Sequence, residues 1–402
     1  MRIHLFIPIA LSLVLSPALA EESAKPASTP LANIEGNYSI KDFRFSDGET
    51  LPELKIHYRT LGKPISSSGQ VQNAVLLLHG TSSTGDAFLA QGFRSVLFGP
   101  GQPLDVGKYY LIVPDSIGLG GSSKPSDGLH GRFPHYGYHD MVEAQKQLVT
   151  QGLGVNHLAV VLGTSMGGMH AWLWAENYPD LMDAVIPIAC QPEKISGRNL
   201  LWRRMISTAI RSDPEWKNGE YRTQPGSWQH IYPLFLMMLG SPRSLQQETA
   251  GIEETRAFLD KAAASIRNDE LDANDLIYRF EASADYDPAP DLGKVKAAVL
   301  SINFADDEIN PPELGFIARA KNAIPDGEFV LVPAGNQTDG HRTLGKAAVY
   351  QKYVADFLAK TLRSANSQFP RGPGKGETAM RPRGEWDPGS VGRKTRRVQD
   401  NS

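Results

Sequence analysis

Residues 158–162, Leu-Ala-Val-Val-Leu, run without a polar side chain into Gly163-Thr164-Ser165-Met166-Gly167-Gly168, and a helix-like stretch through His170, Trp172 and Trp174 follows. A G-x-S-x-G sequence alone is a weak signal. Placed at a strand-to-helix turn it is a strong one, because that turn holds the serine in a strained, exposed position. Side chains at Gly163 or Gly167 would crowd so tight a turn, and the new helix directs its N-terminus at the serine Oγ and favours negative charge there. A chain with this feature needs a sheet to carry the strand and helices to cover it.

The rest of the chain supplies both. Short runs rich in Leu or β-branched residues occur at 74–78, 109–114, 158–162, 184–189, 298–304 and 329–332. Each has the length and continuous apolarity of a strand buried on both faces. Amphipathic stretches lie between several of them, at 140–150 and 169–177, and a last one at 347–362 puts Val349, Tyr350, Val354, Phe357 and Leu358 on one helical face. The alternation predicts an α/β fold with a mostly parallel central sheet covered by helices. The core is expected at 36–190 and 286–363. Residues 191–285 break the rhythm: they are helical in character, without a clear strand, and rich in Trp202, Trp216, Trp228, Phe235, Met237 and Met238. That stretch reads as a helical lid over a site, or as a subdomain on its own core.

A nucleophilic serine needs a base and an acid. Chain order in folds with this turn runs serine, acid, histidine after the final strand. Of ten histidines only His341 lies beyond residue 230, in the loop 333–342 between the last strand and the last helix. The acid belongs just past the strand 298–304, where Asp306, Asp307 and Glu308 stand together and composition does not choose among them. The oxyanion hole pairs the Met166 N–H with one from the loop after an earlier strand, for which Thr81 in His79-Gly80-Thr81-Ser82 is the candidate. No H-E-x-x-H motif and no cysteine pair offers metal ligands, and nothing calls for a cofactor. Cys190 is the single cysteine, set beside an apolar run, and reads as a small buried hydrophobe.

The ends have another character. Arg2 precedes an almost wholly apolar run at 5–15, and Ala18-Leu19-Ala20 is a small-x-small cleavage site. Residues 1–20 therefore read as a secretory signal peptide, too short in its apolar part to span a bilayer comfortably. The mature chain is expected to start near Glu21, with a flexible leader over 21–35, and to work in the periplasm or outside the cell. No later stretch is apolar enough for a membrane segment. Residues 364–402 hold eight Lys or Arg against four acids with little apolar periodicity, and are expected to form a disordered basic tail. A formal net charge of −3 gives no reason to expect nucleic acid or a charged membrane as partner.

From about residue 56 to 362 the chain resembles the homoserine O-acetyltransferase group of α/β-hydrolases. The resemblance rests on Tyr58-Arg59-Thr60-Leu61-Gly62, His139-Asp140-Met141-Val142-Glu143-Ala144-Gln145, Ser165-Met166-Gly167-Gly168-Met169, and Ser212-Asp213-Pro214-Glu215-Trp216-Lys217-Asn218-Gly219-Glu220-Tyr221. It implies the α/β-hydrolase fold and a Ser165, Asp307 and His341 triad, because the family's aspartate stands four residues before a Pro-Pro pair and Pro311-Pro312 are here. It implies an acyl-serine, formed from acetyl-CoA and passed to the hydroxyl of a small amino acid, and by analogy a homodimer. Two departures stand out besides the signal peptide. Arg342 occupies the position after the histidine where the family has an aspartate that helps recognise the substrate's amino group, and Thr164 precedes the nucleophile where the family has glycine. Arg342 would repel an ammonium and favour an anion. The expectation is an extracytoplasmic hydrolase of a small-molecule acyl ester, with an O-acyltransferase as alternative and a non-catalytic binding protein as a third reading.

Overall fold

The computed structural model describes residues 33–267 and 271–368, without the side chains of 265–267 and 363–368. The signal peptide at 1–20, residues 21–32 of the leader and residues 369–402 of the tail lie outside the described residues.

Eight strands form one sheet: β1 (Asn33–Arg44), β2 (Thr50–Leu61), β3 (Ala74–Leu78), β4 (Tyr110–Pro114), β5 (Leu158–Thr164), β6 (Met182–Ile188), β7 (Ala298–Phe304) and β8 (Glu328–Val332), in the order β1-β2-β4-β3-β5-β6-β7-β8. Pairing is parallel from β4 through β8, and β1–β2 and β2–β4 are antiparallel. The six apolar runs read from the sequence are β3 to β8. The hairpin β1–β2 was not legible, because its exposure alternates and an edge ribbon shows one face to water. Strand β1 also takes in Asn33, Ile34 and Glu35, the last residues of the stretch expected as a flexible leader.

The parallel strands sort their side chains by parity. Val75, Leu77, Val160, Leu162 and Ile186 join one core with Phe88, Phe93 and Tyr350. Leu76, Leu78, Val161 and Val185 join the other with Met141, Trp172 and Trp174. Helices α1 (Tyr138–Gln147) and α2 (Met166–Asn177) cover that second face. Burying each such side chain stabilises by ~1.5–3 kcal/mol, so a one-residue slip of β3 or β5 would exchange the two cores and is excluded.

Residues 191–285 carry helices without a strand among the described residues: α3 (Gly197–Arg211), α4 (Tyr232–Leu239), α5 (Pro242–Glu248), α6 (Ile252–Arg267) and α7 (Ala273–Glu281). Trp202 stacks on Phe235 at 4.6 Å and meets Phe280 edge-on at 5.0 Å, so the aromatics pack a core of their own. After β7 come α8 (Phe316–Ala323) and α9 (Gln351–Gln368). Helix α9 extends five residues into the segment expected as tail, and Tyr350, Val354, Phe357 and Leu358 are buried, as the periodicity required. No described helix is long and apolar enough to cross a membrane.

Glu176, near the end of α2, is buried with Oε2 lacking a partner. Burial first, then the nearby Asp291, pushes its pKa from 4.5 to about 7. A carboxyl raised in the fold keeps its proton while the unfolded chain loses it, so stability falls as pH rises from about 4.5 to about 7. Glu176→Gln should therefore match the wild type in thermal melts at pH 4 and exceed it at pH 8, by on the order of 2–3 kcal/mol. An equal difference at both pH values would refute this.

Candidate active site

Ser165 sits between β5 and α2 with φ 53° and ψ −116°, in a region that residues with a side chain avoid. The surroundings hold it there. Its N–H donates to the Ile188 carbonyl at 2.8 Å, and its carbonyl accepts from the Met169 N–H at 2.9 Å. A Cβ at Gly163 would stand 1.9 Å from the Gly167 carbonyl oxygen, and one at Gly167 would stand 1.9 Å from that of Leu78. Both glycines are thus required by close approach of backbone to backbone, not by freedom of φ.

The loop after β8 brings His341 to the serine. Its Nε2 lies 2.8 Å from Ser165 Oγ, and its Nδ1 lies 2.8 Å from Asp307 Oδ2. A carboxylate at Nδ1 keeps the proton on that nitrogen and leaves Nε2 free to accept from the serine hydroxyl. Asp307 is 1% exposed and is held on both oxygens: Oδ1 accepts from the N–H groups of Ile309 (2.8 Å) and Asn310 (3.1 Å), and the Asn310 side-chain amide donates to Oδ2 at 3.2 Å. Its two neighbours are used elsewhere. Asp306 accepts from the Thr338 hydroxyl, and Glu308 pairs with Arg198. Of the three adjacent carboxylates, Asp307 is the one the loop turns inward against the imidazole, as the family resemblance implied.

Thr81, in the loop after β3, lines a cavity with Ser165. A Cβ at Gly80 would stand 3.4 Å from that of Ser165, so the loop abuts the serine. Met166 begins α2, and its N–H has no intrahelical acceptor. His79 is structural: Nδ1 donates to the Gly80 carbonyl at 2.9 Å and Nε2 accepts from the Ser116 N–H at 3.0 Å. Burial pushes its pKa down, which keeps it neutral in this role.

One buried carboxylate supporting this loop was missed in the sequence. Asp115, just past β4, accepts from the N–H groups of Gly85 and Gly121 and from Arg59, and pairs with His57. Burial alone would raise its pKa, but the Gly121 and Gly85 amides and the His57 side chain outweigh that and hold it below the usual carboxylate range. Arg59, in the motif Tyr58-Arg59-Thr60-Leu61-Gly62, ties Asp115 to Asp86. The signal available was that motif, whose arginine, 7% exposed, lies at the buried end of β2.

The cavity has a volume of about 320 Å³. Phe88, Phe93, Trp202, Phe235, Leu239 and Ile309 form its apolar walls, so the aromatics Trp202 and Phe235 serve both the core of 191–285 and the cavity. Arg342 stands at its rim. Its guanidinium pairs with Glu248 on α5 and lies 4.0 Å from Asp339. Those two carboxylates already balance its charge, and the pair ties α5 to the loop after β8. Arg203, another cavity residue, was also missed. Its position was readable in retrospect: Asn199, Trp202, Arg203, Ile206, Ser207 and Ile210 recur at the spacing of a buried helical face.

A serine on a strained turn, a histidine in contact with it and a buried aspartate behind the histidine can together deliver an alkoxide-like nucleophile to a carbonyl and return the proton to a leaving group. The profile of the family described as alpha/beta hydrolase fold matches residues 73–336, and the chain belongs to that family. It is similar to a protein named "Probable acyltransferase" from Methanothermobacter thermautotrophicus, with 30% identity over 323 residues covering 80% of this chain and 96% of that one. It is 30% identical over 300 residues to the homoserine O-acetyltransferase of Haloarcula marismortui, covering 64% of this chain and 73% of the relative. The match to the homoserine O-acetyltransferase of Acidiphilium cryptum, 35% identical, spans about half that protein, 49%. Among solved structures, an acetylester hydrolase from Corynebacterium glutamicum superposes with TM-score 0.69 at 22% identity, covering 81% of this chain and 96% of that one. A homoserine O-acetyltransferase from Bacillus anthracis does so with TM-score 0.70 at 22% identity, covering 81% and 97%. These two likenesses are of fold.

Proposed function

We propose that the protein is an extracytoplasmic carboxylic ester hydrolase with Ser165, His341 and Asp307 as its catalytic triad. The observation that carries this reading is the 2.8 Å contact of His341 Nε2 with Ser165 Oγ, backed by the 2.8 Å contact of Nδ1 with Asp307. In this mechanism His341 takes the serine proton as Oγ attacks the ester carbonyl. The N–H groups of Met166 and Thr81 hold the oxyanion, and the C–O bond breaks as His341 protonates the departing alcohol. A water molecule, deprotonated by the same imidazole, then releases the acid and restores the serine.

The export signal at 1–20 supports the cellular setting, and Arg342 in place of the family's aspartate supports a substrate without an ammonium beside the scissile bond. The second reading, an O-acyltransferase in which an acceptor hydroxyl replaces water, is favoured by the acyltransferase and homoserine O-acetyltransferase relatives. It uses the same catalytic residues. Thiol release from acetyl-CoA with and without homoserine separates the two: the hydrolase reading expects none from protein that cleaves a simple ester, whereas release that depends on both homoserine and Ser165 would replace it. A fluorophosphonate probe should label Ser165, and a folded protein that resists it would be a binding protein instead.

The cavity volume of about 320 Å³ and its aromatic walls favour short acyl chains. With p-nitrophenyl esters, kcat/KM is expected to be roughly 10- to 100-fold higher for acetate or butyrate than for decanoate, the discrimination that a few ill-fitting methylenes produce. A profile rising with chain length would show that the lid opens to admit more than this cavity holds.

A further inference from the structure

Helix α3 carries one charged residue on its buried face. Arg203 is 4% exposed and lines the cavity that holds Ser165 and His341. Its guanidinium lies 4.7 Å over the Trp202 ring and 5.8 Å from that of Phe280, and its Nε donates to Asn199 Oδ1 at 3.0 Å. Nη1 is buried and has no hydrogen-bond partner. Among the described residues no carboxylate comes within 4.0 Å of this guanidinium. Glu281, which borders a small cleft behind Arg203, is taken by Arg211 at 2.7 Å and Arg204 at 3.6 Å. The Tyr138 hydroxyl interacts with Arg203 but stays neutral, since burial pushes its pKa up, and so supplies no countercharge. Arg342, the other cation of the cavity, is already balanced by Glu248 and Asp339.

A buried guanidinium without a counterion is a standing cost to the fold. Packing alone would be served better by a methionine or leucine among Trp202, Phe235 and Phe280. Arginine offers what those residues lack: a permanent charge and a flat fork of donors that matches a carboxylate. We infer that Arg203 is an anion-recognition residue and that the substrate is an ester carrying a carboxylate, which supplies the missing countercharge when it binds. The inference rests on the reading of Ser165 as an acyl-forming nucleophile and names the substrate class of that same site. The carboxylate belongs either to the acyl group, as in a half-ester of a dicarboxylic acid, or to the alcohol, as in an acylated hydroxy acid.

Two pairs of esters of matched length separate these sources: monomethyl glutarate against methyl pentanoate, and 3-acetoxypropanoate against propyl acetate, each followed by acid release. The carboxylate-bearing member of one pair should be preferred at least tenfold in kcat/KM, and the pair that shows the preference identifies the side. Arg203→Met should cut that preference at least tenfold and raise the melting temperature, because an uncompensated charge leaves the core. Arg203→Lys should retain part of the preference. Glutarate, as a bystander dianion, should raise the melting temperature of the wild type and not that of Arg203→Met. The inference is overturned if Arg203→Met lowers both members of a pair equally, if neither pair shows a preference, or if glutarate stabilises both proteins alike. A wild type that hydrolyses none of the four esters, yet is stabilised by glutarate through Arg203, would overturn the hydrolase reading and leave anion recognition standing.

Discussion

Ser165→Ala is expected to reduce acyl-ester turnover by roughly 10⁴- to 10⁶-fold, the scale on which triad enzymes lose their nucleophile. The fold should not suffer. Alanine at this position inherits the same φ of 53°, and the backbone hydrogen bonds to Ile188 and Met169 do not involve the side chain. The hydroxyl bonds to His341, and that hydrogen bond is what the substitution removes. A melting temperature close to that of the wild type would therefore accompany an almost complete loss of turnover. Retained turnover would mean that another residue carries the acyl group, and both the hydrolase and the transferase reading would fall with it.

The second large effect separates three adjacent carboxylates. Asp307→Asn should lower kcat by roughly 10³- to 10⁴-fold, because an amide facing His341 Nδ1 favours the wrong tautomer and no longer stabilises the imidazolium. Asp306→Asn and Glu308→Gln should each stay within about 3-fold of the wild type, as changes to groups outside the proton path do. The prediction comes from hydrogen bonding rather than from charge: Asp306 faces Thr338 and Glu308 faces Arg198, whereas Asp307 alone faces the imidazole. Equal losses from all three would point to the summed negative charge of the loop instead of a single positioned acid.

Hydrolysis and acyl transfer would share every group named in the proposed mechanism, so those groups do not decide between the two readings. On the proposed mechanism, what would differ is the occupant of the cavity when an acyl-serine reacts. Trp202 and Phe235, the Arg342–Glu248 pair and the uncompensated Arg203 all border the space that occupant would fill.

Much of the architecture was legible in the order of residues. Strands buried on both faces read as unbroken apolar runs, so β3 to β8 stood out, and the tight turn at Ser165 announced itself through Gly163 and Gly167, where no Cβ fits. His341 followed from its place after the last strand. Short-range periodicity carries this kind of information because side-chain direction repeats every two residues in a strand and every 3.6 in a helix.

The features that only the folded chain decided are those made by residues far apart in sequence. The β1–β2 ribbon has no apolar run because only one of its faces meets the core. The residues alone left Asp306, Asp307 and Glu308 open and only the family resemblance pointed to Asp307; the fold turns that carboxylate, 34 residues before His341, toward the imidazole. Arg342 gains its counterion only because α5 brings Glu248 against it across 94 residues, and Arg203, missed in the sequence, is buried at 4% exposure by the packing of α3. Local sequence determines which way a side chain leaves the backbone; whether a charge finds its counterion depends on which distant segment the tertiary fold brings alongside.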